Sequence, residues 1–117
     1  MKVEDFEKEA LRLLCSDALS KDVLRKAILS PDSIRCEFTG AGYFLDIEHK
    51  DIVSNKKIVC STPIVSGKFK DQEVGFIAFI ENGSICLECY NCSDKDMSND
   101  IRAGSFEIHT STSLPSN

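Results

Sequence analysis

Three cysteines spaced Cys86-x-x-Cys89-x-x-Cys92 and two histidines, His49 and His109, are the residues of this chain whose types could carry chemistry. Thiolates three apart fit the local spacing of a cluster or of half a zinc site. Strand parity opposes that reading. In an extended segment side chains alternate, so Cys86 and Cys92 point to one face and Cys89 to the other, and the three cannot converge on one ion. No Gly or Pro makes a ligand-bearing knuckle inside ICLECYNC, and no second Cys or His pair stands at a supporting distance. A catalytic cysteine needs an oriented base. His49 is expected in a loop and His109 near the end of the last strand, neither in a recognised motif. The pair alone could hint at acid–base nuclease chemistry. The expectation is a protein that is not an enzyme and holds no metal or cofactor. A small cytosolic metal- or ligand-binding domain using Cys86, Cys89 and Cys92 stands as the alternative. Gly40-Ala41-Gly42 lacks the strand–GxGxxG–helix context of a dinucleotide site and reads as a turn.

The element that must position the cysteines is a hairpin, EVGFIAFIENGSICLECYNC, from Glu73 to Cys92. Its centre, Asn82-Gly83, favours a type I′ turn because that turn needs positive φ at both central residues. The turn fixes the register: Glu81 faces Ser84, Ile80 faces Ile85, Phe79 faces Cys86, Ala78 faces Leu87, Ile77 faces Glu88 and Phe76 faces Cys89. One face then carries Val74, Phe76, Ala78, Ile80, Ile85, Leu87 and Cys89, a core face. The other carries Gly75, Ile77, Phe79, Cys86, Glu88, Tyr90 and Cys92. Glu88, in the middle of that half-apolar face, either points to solvent or anchors a binding surface.

Before the hairpin, residues 3–17 read as an amphipathic helix, with Val3, Phe6, Ala10, Leu13 and Leu14 inward and Glu4, Asp5, Glu7, Lys8 and Arg12 outward. A second helix starts at Ser20, a good N-cap, and runs to about Leu29, where Ser30-Pro31-Asp32 stops it. From Ser33 the period is two: Ile34, Cys36 and Phe38 alternate with Arg35, Glu37 and Thr39, and Tyr43, Leu45 and Ile47 with Phe44, Asp46 and Glu48. Residues 49–57 read as an exposed loop. Another strand begins near Ile58, with Pro63 marking an edge or bulge, and Lys70-Asp71-Gln72 turns into the hairpin. Residues 93–104 form a polar connection with one helical turn near 97–102, and 106–109 a last short strand. The expected architecture is α+β: an N-terminal two-helix hairpin packed on one mainly antiparallel sheet of five to six strands. It forms a single domain over 1–109, followed by a disordered tail, 110–117.

The 117 residues carry a net charge of −5 and a pI near 5.0, which argues against direct nucleic-acid binding, where a basic stripe is the usual footprint. The acidic start lacks the basic and apolar regions of a signal peptide, and no apolar run reaches the roughly 18 residues of a membrane span. The expectation is a cytoplasmic chain with reduced, free cysteines.

GAGYFLDIE at 40–48 and VSGKFKDQEVGFIAFIENGSICLECY at 65–90, followed by a polar turn and a short strand, resemble a pattern of small bacterial proteins. There a "tGxGfft" strand precedes a strand–turn–strand reading "GfxLFixdGxlxxLEgyt". Many such proteins lie beside polymorphic toxin genes and act as immunity proteins, including in contact-dependent growth-inhibition systems. The resemblance spans about Ile34 to Ile108. This chain has Cys89-Tyr90 where glycine and an aromatic are usual, and Asp96-Met97 near the place of a Trp-Pro. The resemblance implies an antitoxin that binds a cognate toxin domain by occlusion, with no membrane partner; it leaves the oligomeric state open. An acidic chain suits a basic nuclease toxin. On that reading the partner-binding surface is expected among Asp46, Glu48, Glu88, Tyr90, Asp94, Asp96 and Asp100.

Overall fold

The Asn82-Gly83 turn, with Gly83 at φ 87°, joins β4 (Gln72–Glu81) to β5 (Ser84–Asn91). Their pairing is the one the turn dictates, from Glu81 opposite Ser84 to Phe76 opposite Cys89 and on to Val74 opposite Asn91. The computed structural model describes residues 1–69, 72–92, 97, 100–104 and 106–111. Within them α1 (Asp5–Cys15) and α2 (Lys21–Leu29) precede β1 (Ser33–Phe38), β2 (Gly42–Glu48) and β3 (Ile58–Phe69). After the hairpin come a 3-10 turn (Ile101–Ala103) and β6 (Glu107–Ser111). The six strands form one antiparallel sheet in the order β1-β2-β5-β4-β3-β6. The α+β architecture with the helices on one face is the one the sequence predicts.

Period-two patterning sorts the sheet into two faces. Tyr43, Leu45, Ile47, Val74, Phe76, Ala78, Ile80, Ile85, Leu87 and Cys89 are all buried beneath the helices. Burying one such large apolar side chain contributes about 1.5–3 kcal/mol. Helix α1 lies over β3, β4 and β6, and α2 over β2. Phe6 meets Phe76 and Phe106 at ring-centroid distances of 6.1 and 4.5 Å. Ser20 caps α2, its Oγ accepting from the Val23 N–H at 3.2 Å. Strand β3 continues through Pro63, with a register shift between Cys60 and Val65, the irregularity that a proline without an N–H imposes on a ladder.

Four expectations are corrected. Helix α1 spans Asp5–Cys15 rather than 3–17, and Leu11 joins its buried face. Glu7, expected outward, is fully buried. The segment 49–57 is no free loop: His49 and Ile52 are buried and clasp the hairpin tip. The His49 N–H donates to the Gly83 carbonyl, and the Gly83 N–H to that of Ile52, while the Asn82 side chain accepts from the Ser54 N–H. Finally, β6 runs through Thr110 and Ser111, two residues past the expected boundary of the tail. Lys70, Asp71 and residues 112–117 lie outside the described residues, so the turn and the tail assigned to them are not described.

Candidate functional site

With both helices on one side, no described element covers the other face of the sheet, the open face. Cross-strand neighbours share a face, so the register lays that face out in rows. One row runs Glu37–Phe44–Glu88–Ile77, the next Arg35–Asp46–Cys86–Phe79–Val59, and the next Ser33–Glu48–Ser84–Glu81. Beyond Glu88, Tyr90 lies between Gly42 and Gly75. Phe44, Ile77, Phe79, Cys86 and Tyr90 are half-buried, and Val59 is 56% exposed. Five carboxylates (Glu37, Asp46, Glu48, Glu81 and Glu88) stand on this half of the face against two cations, Arg35 and Lys57.

Both cations have acidic neighbours on this face. Arg35 Nη2 lies 3.5 Å from Asp46. Lys57 Nζ sits 5.1 Å over the Phe79 ring and 4.0 Å from Glu81. A shallow depression of about 290 Å³ opens between Phe44, Asp46, Lys57, Phe79, Glu81, Ser84 and Cys86. Glu88 differs from the other central groups: half-buried between Phe44 and Ile77, its carboxylate makes no hydrogen bond or ion pair with any described residue. A carboxylate partly withdrawn from water on an apolar floor is an acceptor in want of a cation.

Of the residues selected from sequence, Asp46, Glu48, Glu88 and Tyr90 come together on this face. Asp100 does not join them. It precedes the 3-10 turn whose Arg102 reaches α1. Asp94 and Asp96 lie outside the described residues. Sequence reasoning passed over Phe44 and Phe79, although the alternation that places Asp46 on this face also places them there.

Tyr90 is held flat by its neighbour. A Cβ built on Gly75 would lie 2.1 Å from Tyr90 Cζ and 2.3 Å from its hydroxyl, so the ring covers the bare backbone of β4. Gly75→Ala is expected to displace the ring and cost about 1–3 kcal/mol, as overpacking does. Urea unfolding against wild type checks the loss.

The cysteine and histidine chemistries weighed above find no common centre. Cys89 is fully buried under the helices while Cys86 lies on the open face. Cys86 and Cys92 are six residues apart along the chain, roughly 20 Å at strand rise, far beyond what a shared ion with Zn–S bonds of about 2.3 Å allows. Among the described residues no group of three or more His, Cys, Asp or Glu side chains is placed to hold a metal. Burial, with the Asp46 and Glu88 carboxylates nearby, pushes the Cys86 thiol up to about 12, so it stays protonated and poorly nucleophilic at neutral pH. His49 Nδ1 accepts from the Asp51 N–H at 3.0 Å, beside the hairpin tip. His109 pairs with Ser66, in the row of Gly75 and Tyr90. That row is six positions along β5 from Ser84, the residue next to the tip, again roughly 20 Å. The two histidines therefore do not act on one substrate atom.

A second polar group is structural. The Glu7 carboxylate accepts four hydrogen bonds, two on each oxygen. Arg102 donates twice, Nε to Oε2 and Nη2 to Oε1, both at 2.7 Å. The Tyr43 hydroxyl donates to Oε2 at 2.6 Å and the Glu4 N–H to Oε1 at 2.8 Å. Arg102 also donates to the Lys2 carbonyl at 2.7 Å. Burial and the Glu7 charge hold the Tyr43 phenol well above its usual range, so the hydroxyl remains a donor. Each polar atom of the Glu7 carboxylate is used inward, and nothing is left to act on a substrate.

Compared with known protein families, with curated proteins and with solved structures, the chain has no match. The open face therefore rests on its own chemistry. Its rival is a groove of about 560 Å³ between α1 and α2, floored by Leu24, Ile28 and Leu29. It is larger, but charges on its rim are already paired within each helix: Lys8 with Asp5, Arg12 with Glu9, and Arg25 with Asp22. Such exposed pairs are worth little. Among the described residues no helix is long and apolar enough to cross a membrane.

Proposed function

We propose that this chain is an immunity protein: it binds a cognate bacterial toxin domain through the open face of the sheet and neutralises it by occlusion, in the cytoplasm of the cell it protects. The observation that carries the reading is Glu88, a carboxylate without a partner among the described residues, at the centre of an apolar floor ringed by other acids. An apolar core with a charged rim is the anatomy of a protein interface, and a half-buried carboxylate at its middle selects an Arg or Lys of the partner. The surplus of carboxylates fits a basic toxin domain, and a nuclease, which must hold phosphate, is basic where it works. Complementary charge also speeds encounter, which matters to a protein that must intercept a toxin before it acts. The resemblance of the 40–48 and 65–90 segments to immunity proteins supports the same reading.

The test is co-expression with the C-terminal domain encoded by the neighbouring reading frame. The expected result is a domain that kills alone, is harmless beside this chain and co-purifies with it. A neighbouring domain that is harmless alone, or that kills equally with and without this chain, contradicts the reading.

A further inference from the structure

We propose that the chain pairs with a second copy of itself through the outer edge of β1, giving a two-fold symmetric dimer whose sheet runs unbroken across both copies. This does not rest on the proposed function. Among the described strands, β1 has a neighbour on one side only. The Thr39 N–H donates to the Gly42 carbonyl at 2.9 Å, and this pair continues the β1–β2 register. In an antiparallel ladder hydrogen-bonded pairs alternate with non-bonded ones. Glu37, Arg35 and Ser33 therefore turn their backbone groups toward β2, and Ile34, Cys36 and Phe38 present theirs outward. Such an edge is a template for another strand.

The strand's own sequence selects the occupant. Set antiparallel to its copy about Cys36, Arg35 of each copy faces Glu37 of the other on the open face of the sheet, and Ile34 faces Phe38 on the opposite face. Cys36 meets its own counterpart at the centre. The outward N–H and C=O groups of Ile34, Cys36 and Phe38 are then all paired. Arg35 and Glu37 fall at the non-hydrogen-bonded positions, where Cα atoms approach to about 4.5 Å and side chains interact most. Moving the two-fold axis one residue either way sets Arg35 against Arg35 or Glu37 against Glu37, so charge fixes the register. Charged residues ordinarily guard an edge against pairing. Here they are complementary to one partner, the antiparallel copy. Arg35 is 78% exposed along its side chain and Phe38 is 37% exposed, so both can reach it. An isologous contact of this kind closes on itself and does not propagate.

Sedimentation velocity of the intact chain over a wide concentration range tests it. Wild type is expected to show a monomer–dimer equilibrium. Arg35→Glu and Glu37→Arg, each alone, should raise the dissociation constant roughly tenfold, since two attractive pairs become repulsive. An equimolar mixture of the two variants should associate again, because both cross-pairs are then opposite in sign. If Arg35→Glu fails to fold beside Asp46, Glu37→Arg alone decides by its weakened self-association. A wild type that is monomeric throughout overturns the proposal. So does a Glu37→Arg variant that associates as wild type does, or a mixture that associates no better than its components.

Discussion

Arg102→Ala is expected to lower stability by about 3–5 kcal/mol, among the largest losses any single substitution in this chain should give. Without the guanidinium, Glu7 loses two of its four hydrogen bonds and keeps its charge in a site with no exposure. A buried carboxylate without its cation costs far more than the pair is worth in place. Glu7→Ala should cost a similar amount, by stranding Arg102 and the Tyr43 hydroxyl together. The double variant Glu7→Leu/Arg102→Met should recover much of the loss, because well-packed apolar side chains of similar size often replace a buried ion pair without penalty. Urea unfolding of the four proteins measures the two losses and the recovery. Single variants within about 0.5 kcal/mol of wild type would show that the pair does not clamp α1, β2 and the 3-10 turn together.

The second large effect is on binding. Reversing Asp46, Glu48 and Glu88 to lysine should weaken partner binding by at least roughly a thousandfold while leaving the fold intact, since like charges brought together across an interface cost several kcal/mol. Glu88→Lys should carry the largest share, being half-buried and, alone of the half-buried acids in this set, without a partner among the described residues. Reversing Asp5, Glu9 and Asp22 on the helices should leave binding nearly unchanged. Calorimetry on purified partners gives the affinities, and circular dichroism shows that each variant is folded. Equal losses from both sets would mean that net charge, and not this face, governs the encounter.

What was legible in the sequence follows from how local its causes are. Asn82-Gly83 determines a turn from two residues, and a period-two pattern on either side then assigns every side chain of β4 and β5 to a face. Residue order alone therefore sets Glu88 beside Ile77 and Tyr90 beside Gly75. The N-cap at Ser20 and the irregularity at Pro63 are equally local. Glu7 is harder to read because its reason is remote. Its charge argues for solvent, while its spacing, with Val3, Ala10 and Leu14 at intervals of four, three and four, puts it on the buried stripe. The pairing that resolves the conflict comes from Arg102, 95 residues away, and no local pattern announces it. The same holds for His49 and Ile52: a polar segment reads as a loop until the hairpin tip it grips is folded against it.

A partner is expected to dock on the open face of the sheet and not on the helices. Titrating the unlabelled domain encoded by the neighbouring reading frame into isotopically labelled protein, and following the backbone and side-chain NMR shifts, tests this. Perturbations gathered on Phe44, Asp46, Phe79, Cys86, Glu88 and Tyr90, with α1 and α2 little changed, are the predicted result. Perturbations centred on Leu24, Ile28 and Leu29 in the groove between the helices would contradict it.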